Sequence, residues 1–189
     1  QGNLYLDAPA QPDILGEPAS NSQHAAHAGN VLTALERAHW QLQHETDAAQ
    51  QALALCWLLH LIGDIHQPLH AGGLVTTTLF PDGDRGGNVI RTRDGNLHAL
   101  WDQALRGPAL NDSLTALTRF ATSLPPEQAF APTRWLQESR RILLQQVYPA
   151  SVINNVRRSE TTGDRLGSIT LSQQYQADMK QTAAIRLTE

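Results

Sequence analysis

The segment from Leu53 to Ile62 is apolar at every position except His60, and Asp64 follows one helical turn after that histidine. This stretch limits the fold more than any other. Thr46-Asp47 followed by Gln50 reads as a helix cap with a capping-box partner, and Gln67-Pro68 stops the run. The spacing therefore predicts a helix over Ala48–Ile65. The Leu53–Ile62 run falls short of the ~20 residues a membrane span needs, so it suits a buried helix of a bundle. A carboxylate on such a helix is expensive unless it is paired or bound to a metal.

The rest of the chain supports a bundle. Val31, Leu32, Leu35, Ala38, His39 and Leu42 share one face, which predicts a helix over Gly29–His44. Residues 1–28 are rich in Pro, Ala, Asn and Gln and read mostly as loop. Residues 71–95 concentrate Gly, Thr and Asp and read as a loop with a small β-hairpin near residues 75–94. Asn96 is placed to cap a third helix carrying Leu97, Leu100 and Trp101. Further helices are expected over Ser113–Ser123, Thr133–Val147 and Ser168–Leu187, the last capped by Ser168 or Thr170. The fold class is all-α, a multi-helix bundle, and residues 1–189 read as a single domain. Charged residues are 17% of the chain, which excludes a charge-rich disordered polymer. A net charge of −4 excludes a non-specific polybasic grip on nucleic acid or anionic lipid, so phosphate must be handled by local charge or by metal. Cys56 is the single cysteine and reads as a small core residue.

His60 and Asp64 lie one turn apart on one helix face. His98 and Asp102 repeat that spacing beside Leu97, Leu100 and Trp101. Pro68 lets His70 fold back toward the helix end. These five nitrogen and oxygen ligands, with no thiolate, suit Zn²⁺ and suit catalysis more than structure. A buried His–Asp hydrogen-bonded pair is the alternative for either pair alone. His66 is offset from the His60/Asp64 face and reads as lying behind the ligands or facing solvent. His24, His27, His39 and His44 read as surface or core-edge residues. There is no serine-nucleophile elbow and no Gly-rich phosphate loop. Arg85, Arg91 and Arg93 flank the hairpin, where a phosphate contact and a solvated face are both open.

Three blocks in order, His60-x-x-x-Asp64-x-x-Gln67-Pro68-Leu69-His70, Gly86-Gly87-Asn88 and Asn96-Leu97-His98-x-x-Trp101-Asp102, resemble the signature of the S1/P1 nuclease family. Weaker likeness continues in Trp135-x-x-Glu138-Ser139, Val147-Tyr148 and Arg186-Leu187. The resemblance implies a fold of the zinc phospholipase C type. It also implies a zinc-dependent phosphodiesterase that cuts single-stranded DNA or RNA to 5′-phosphorylated products and acts as a 3′-nucleotidase. Up to three zinc ions are implied. His60 and Asp64 would serve the first, Asp64 would bridge to the third and act as the catalytic carboxylate, and His70, His98 and Asp102 would hold the second. Asn88 is the candidate substrate contact. Single-stranded nucleic acid or a nucleotide is the implied substrate, no membrane is involved, and the location is secreted or periplasmic, although no leader is read in this chain.

The likeness is incomplete. The family's mature chain opens with a zinc-binding Trp and His, then an Asp and another His ligand, and none has a clear counterpart here. Asn3-Leu4-Tyr5-Leu6-Asp7 resembles the segment around that last His, with Leu4 in the His position. The expectation is the larger, C-terminal part of a longer nuclease domain, holding one complete zinc triad and half of a second site, with an N-terminal fragment of the same protein as candidate partner. A zinc phospholipase C-like phosphoesterase, a non-catalytic zinc-binding relative and a plain helical interaction domain are the alternatives.

Overall fold

Side-chain caps set the helix starts. Our computed structural model describes residues 3–6, 30–106, 111 and 130–187. Asn30 accepts from the backbone N–H groups of Leu32 and Thr33, and Thr33 Oγ1 accepts from Asn30 N, a reciprocal box that opens α1 (Val31–His44). Asp47 accepts from Ala49 N at 2.7 Å and opens α2 (Ala48–His66). Gln51, rather than the expected Gln50, reaches back to Glu45 O at 2.8 Å. The short Glu45–Asp47 link makes α1 and α2 a helical hairpin. Gln67 ends α2, and Pro68–His70 form a 3₁₀ turn that reverses the chain.

The expected hairpin lies further along and pairs differently. Strand β1 (Leu4–Leu6) pairs in parallel with β2 (Leu74–Thr76), Tyr5 opposite Val75. A parallel neighbour cannot be reached through a tight turn, so β2 draws its partner from a distant part of the chain. The hairpin itself is β3 (Arg91–Thr92) with β4 (Gly95–Asn96), closed by Arg93-Asp94. Asn96 then caps α3 (Leu97–Asp102) by accepting from Ala99 N at 2.8 Å.

The C-terminal half holds α4 (Pro132–Ile142), which passes into a π-helical turn at Leu143–Val147, then α5 (Ala150–Thr162) and α6 (Gln173–Leu187). The sequence reading missed α5. Its signals were Pro149 before the first turn, Gly163 in the left-handed conformation after the last, and buried Val152, Val156 and Ser159 at helical spacing. Helix α6 starts five residues later than expected, because Ile169 bridges to Thr92 and donates its N–H to Arg91 O. Ser172 takes over the capping role, accepting from Tyr175 N. The expected Ser113–Ser123 helix, with His24 and His27, lies outside the described residues.

Two buried clusters come together at the turn after α2, where Leu69 belongs to one and Ala71 to the other. One gathers Leu69, Leu74, Ile90, Leu97, Trp101 and Val147 with the residues around them. The other packs Leu35, Ala38, Leu58, Ile65, Trp135 and Leu136 between α1, α2 and α4. Leu4, the residue in the expected His position, packs against the first cluster.

Helix α2 departs from expectation in one respect: it is not buried. Ala54, Leu58 and Ile65 form its buried stripe, while Leu53, Leu55, Trp57 and Leu59 are exposed and Cys56 faces out with them. By length and composition the whole of α2 is long and apolar enough to cross a membrane, although its central run alone is not. Its contacts with α1 and α4 nonetheless make it an element of the bundle. Those two helices meet one side of α2, and the opposite side has no covering element among the described residues.

Candidate metal centre

Helix α3 is short, and its neighbours hold it. Leu97 is wholly buried and Trp101 is 5% exposed, so the helix is pinned on the face next to the one that carries His98 and Asp102. His98 Nδ1 lies 2.8 Å from Gly86 O. A carbonyl oxygen only accepts, so this contact fixes the proton on Nδ1 and leaves the Nε2 lone pair free. His98 Nε2 and Asp102 Oδ2 are 3.5 Å apart. The close approach of Gly86 requires glycine: its φ is +60°, and a Cβ there would stand 2.5 Å from Leu69 O.

Gln67 ties this pair to the end of α2. Its Nε2 donates to Asp102 Oδ1 at 3.0 Å, and its Oε1 accepts from Leu69 N at 2.6 Å. The same turn brings His70 in, with its ring centroid 4.9 Å from that of His98. One ligand atom from each of His70, His98 and Asp102 falls within 4.8 Å of the others. Burial pushes the His70 imidazole below its ordinary pKa, with Asp64 pulling the other way, so the ring is neutral at pH 7 and able to donate a lone pair. A neutral His70 imidazole, a His98 ring whose Nδ1 is committed to Gly86 O, and the Asp102 carboxylate make a nitrogen and oxygen donor set that fits Zn²⁺.

His60 and Asp64 of α2 sit at the edge of this group. His60 Nε2 and Asp64 Oδ2 are 3.2 Å apart, and Asp64 Oδ1 is 3.8 Å from His70 Nδ1. Asp64 thus stands between His60 and the triad. The His60 side chain is 62% exposed, on the bare side of α2. His66 points neither into the ligand group nor to solvent. Its Nδ1 donates to Ile62 O at 2.7 Å and its ring packs on Trp135. His39 stacks on Phe130 at the core edge, and His44 stacks on Trp40. Asn88 is exposed on the Gly86–Asn88 loop, where its Nδ2 donates to Arg85 O.

The end of α2 is fixed from behind. Arg186, 5% exposed, donates to Glu138 Oε2 at 2.7 Å, to Ser139 Oγ at 2.9 Å and to Trp135 O. Ser139 Oγ in turn donates to Ile65 O at 2.6 Å, immediately after Asp64. A cavity of about 420 Å³ opens between Arg186 and the ligands Asp64, His70 and Asp102, with Ile62, Leu105 and Leu187 among its apolar walls.

The model of the S1/P1 nuclease family matches residues 4–189. The chain belongs to the S1/P1 nuclease family. Among its relatives is an Arabidopsis thaliana protein named Endonuclease 4, 43% identical over 76 residues, which are 38% of this chain and 21% of that protein. Endonuclease 2 of the same plant is 30% identical over 129 residues, 59% of this chain and 41% of the relative. Nuclease S1 of Aspergillus oryzae is 37% identical over 79 residues, 40% of this chain and 24% of the relative. The chain thus spans between about a fifth and two-fifths of the length of these relatives. The all-α fold agrees with membership of the S1/P1 family.

The structure brings together His70, His98 and Asp102, three of the five candidates named from the sequence, with Asp64 beside His70. Sequence reasoning gave Gln67 and Gly86 as parts of the motif blocks, a helix stop and a turn, and missed that they orient Asp102 and His98. The signal lay in their place within the S1/P1 motifs, where a side-chain amide and a glycine flank ligand histidines.

Proposed function

We propose that this S1/P1 family member is a zinc-dependent phosphodiesterase hydrolysing single-stranded DNA or RNA to 5′-phosphorylated products, with 3′-nucleotidase activity. The observation that carries the reading is the convergence of His70, His98 and Asp102, with His98 locked by Gly86 O in the tautomer that frees Nε2. In the proposal these three residues hold one zinc ion, and His60 and Asp64 supply part of a second site. Bound zinc lowers the pKa of water and stabilises charge on phosphoryl oxygens. Gln67 keeps Asp102 aimed at the ligand group, and Asp64, between His60 and His70, is the proposed catalytic carboxylate linking the two sites. Exposed Asn88 is the proposed substrate contact. The metals would supply the positive field that a chain of net charge −4 lacks.

The relatives are much longer, so the remaining ligands of the second site are assigned to polypeptide beyond this chain, docked on the bare side of α2. A secreted or periplasmic location follows from the same family likeness. A second reading, a zinc-binding relative without hydrolytic activity, draws on Leu4, which packs into the core where the family motif has a ligand.

Elemental analysis and a nuclease assay on one preparation separate these readings. The enzyme reading expects bound zinc, cleavage of single-stranded DNA and loss of cleavage with EDTA. Zinc without cleavage in the full-length protein supports the second reading. Cleavage that survives exhaustive chelation sinks the first.

A further inference from the structure

The π-helical turn at Leu143–Val147 ends on two consecutive residues that both connect to α3. A π turn contains one residue more than an α turn, so it swings every later side chain by about 100° relative to a continuous helix. The residues delivered by that swing are Val147, wholly buried, and Tyr148, 8% exposed. Val147 O accepts from Tyr175 Oη at 2.9 Å, and Tyr175 Oη accepts from Trp101 Nε1 at 2.9 Å. Trp101 is the residue before Asp102. Tyr148 Oη donates to Asp84 Oδ2 at 2.8 Å. Asp84 is wholly buried and gathers Leu74 N at 3.0 Å and the backbone N–H groups of Gly86 and Gly87. Gly86 O is the acceptor that fixes His98. A Cβ on Gly73 would stand 2.6 Å from Asp84 Oδ1, so the carboxylate occupies the space that a side chain there would take.

We propose that Tyr148 is a positioning residue for the metal centre. Acting through the Asp84 carboxylate and the Gly86 carbonyl, it sets the tautomer and aim of His98, while the adjacent Val147 carbonyl steadies the Asp102 end of α3 through Tyr175 and Trp101. The proposal rests on the reading of His70, His98 and Asp102 as metal ligands. Tyr148 touches neither metal nor substrate in this scheme. Burial pushes its phenol well above the ordinary value, so the hydroxyl stays protonated and keeps donating. Outer hydrogen-bond partners of metal ligands typically carry 10–100-fold in metal affinity.

The test uses Co²⁺ as a spectroscopic stand-in for zinc, with Tyr148→Phe, Asp84→Asn and a packing control, Val156→Ala, whose side chain is wholly buried in the same cluster but lies outside the relay. Tyr148→Phe is expected to weaken Co²⁺ binding by about 10-fold and to alter the visible absorption of the bound ion. Asp84→Asn is expected to weaken it at least as much, and Val156→Ala to lower the melting temperature while leaving Co²⁺ affinity unchanged. In the metal-free protein, the His98 Nδ1 proton should exchange faster in Tyr148→Phe than in wild type. If Tyr148→Phe behaves like Val156→Ala, with wild-type Co²⁺ affinity and wild-type His98 exchange, the positioning role is wrong. If the wild-type chain takes up no Co²⁺, the metal reading fails, and the His98 exchange still decides whether the relay operates.

Discussion

Helices α2 and α3 carry the same motif, His-x-x-x-Asp, in opposite surroundings. On α3 the pair is held: His98 is 17% exposed and anchored to Gly86 O, Asp102 is anchored to Gln67, and Leu97 and Trp101 pin the helix. On α2 only Asp64 reaches toward His70, while His60 lies beside exposed Leu59 and Trp57 and is 62% exposed. Both pairs have similar separations, 3.2 and 3.5 Å, so the difference does not lie in the spacing. It lies in whether backbone and amide groups from other elements fix each ring and carboxylate. An exposed His–Asp pair contributes little by itself, whereas a pair with fixed tautomer and fixed carboxylate is preorganised for a third ligand.

Removing a ligand from each pair is the strongest way to break this comparison. His98→Ala should weaken zinc binding by at least about 100-fold, more than loss of an outer partner alone. His60→Ala should change the His70/His98/Asp102 affinity by no more than about 5-fold, because His60 is 62% exposed and an exposed His–Asp pair is worth at most about 1 kcal/mol. Competition against a chelator of known affinity reads both, and equal losses would erase the distinction. Under the proposed phosphodiesterase reading, His98→Ala and Asp64→Ala are each expected to abolish hydrolysis of single-stranded DNA and RNA, which a nuclease assay on each variant checks.

Gly86→Ala attacks the anchor instead of the ligand. The positive φ and the clash with Leu69 O should lower stability by about 1–3 kcal/mol. The shifted Gly86 carbonyl should also release His98, lowering zinc affinity by about 10-fold. Urea unfolding and zinc titration of the same variant check both effects, and a stability loss with unchanged zinc affinity would separate the loop from the site.

The two sides of α2 offer a third contrast. Leu58→Ala on the buried stripe should cost about 2–4 kcal/mol. Leu59→Ser, its exposed neighbour, should change the stability of this chain by no more than about 0.5 kcal/mol. A large loss in Leu59→Ser would mean that the outward side is covered in solution.

The smallest expected effect is the pH dependence at Asp84. Burial raises the Asp84 carboxyl above its ordinary 3.8, against the pull of Tyr148 and three backbone donors. The folded state therefore binds the proton more readily than the unfolded one. The Asp84 contribution is fully present below about pH 3.8 and is lost as pH rises through the higher folded value. Relative to Asp84→Asn, the wild type should accordingly gain stability as pH falls through that window. Parallel denaturation curves at pH 4 and pH 7 measure it, and a gap independent of pH would contradict the raised value.

Much of the bundle was legible because local rules wrote it. Asn30, Asp47 and Asn96 mark helix starts, Gln67-Pro68 marks a stop, and periodic apolar residues mark the faces that pack. The five candidate ligands were legible for the same reason, since spacing of four along a helix and a proline reversal are local facts. The parallel β1–β2 pair and the late start of α6 at Gln173 were not, because each depends on a partner far along the chain, β2 for β1 and Arg91-Thr92 for Ile169.

The sequence by itself therefore determined the fold class and the family, and it named the candidate ligand side chains. Only the tertiary structure decided which ligands stand ready. It brought Gly86 O to His98 and Gln67 to Asp102 while leaving His60 in the open. The physical reason is that ligand type and helical spacing are properties of neighbouring residues, whereas a histidine's tautomer and a carboxylate's aim are set by hydrogen-bond partners that only folding brings within 3 Å.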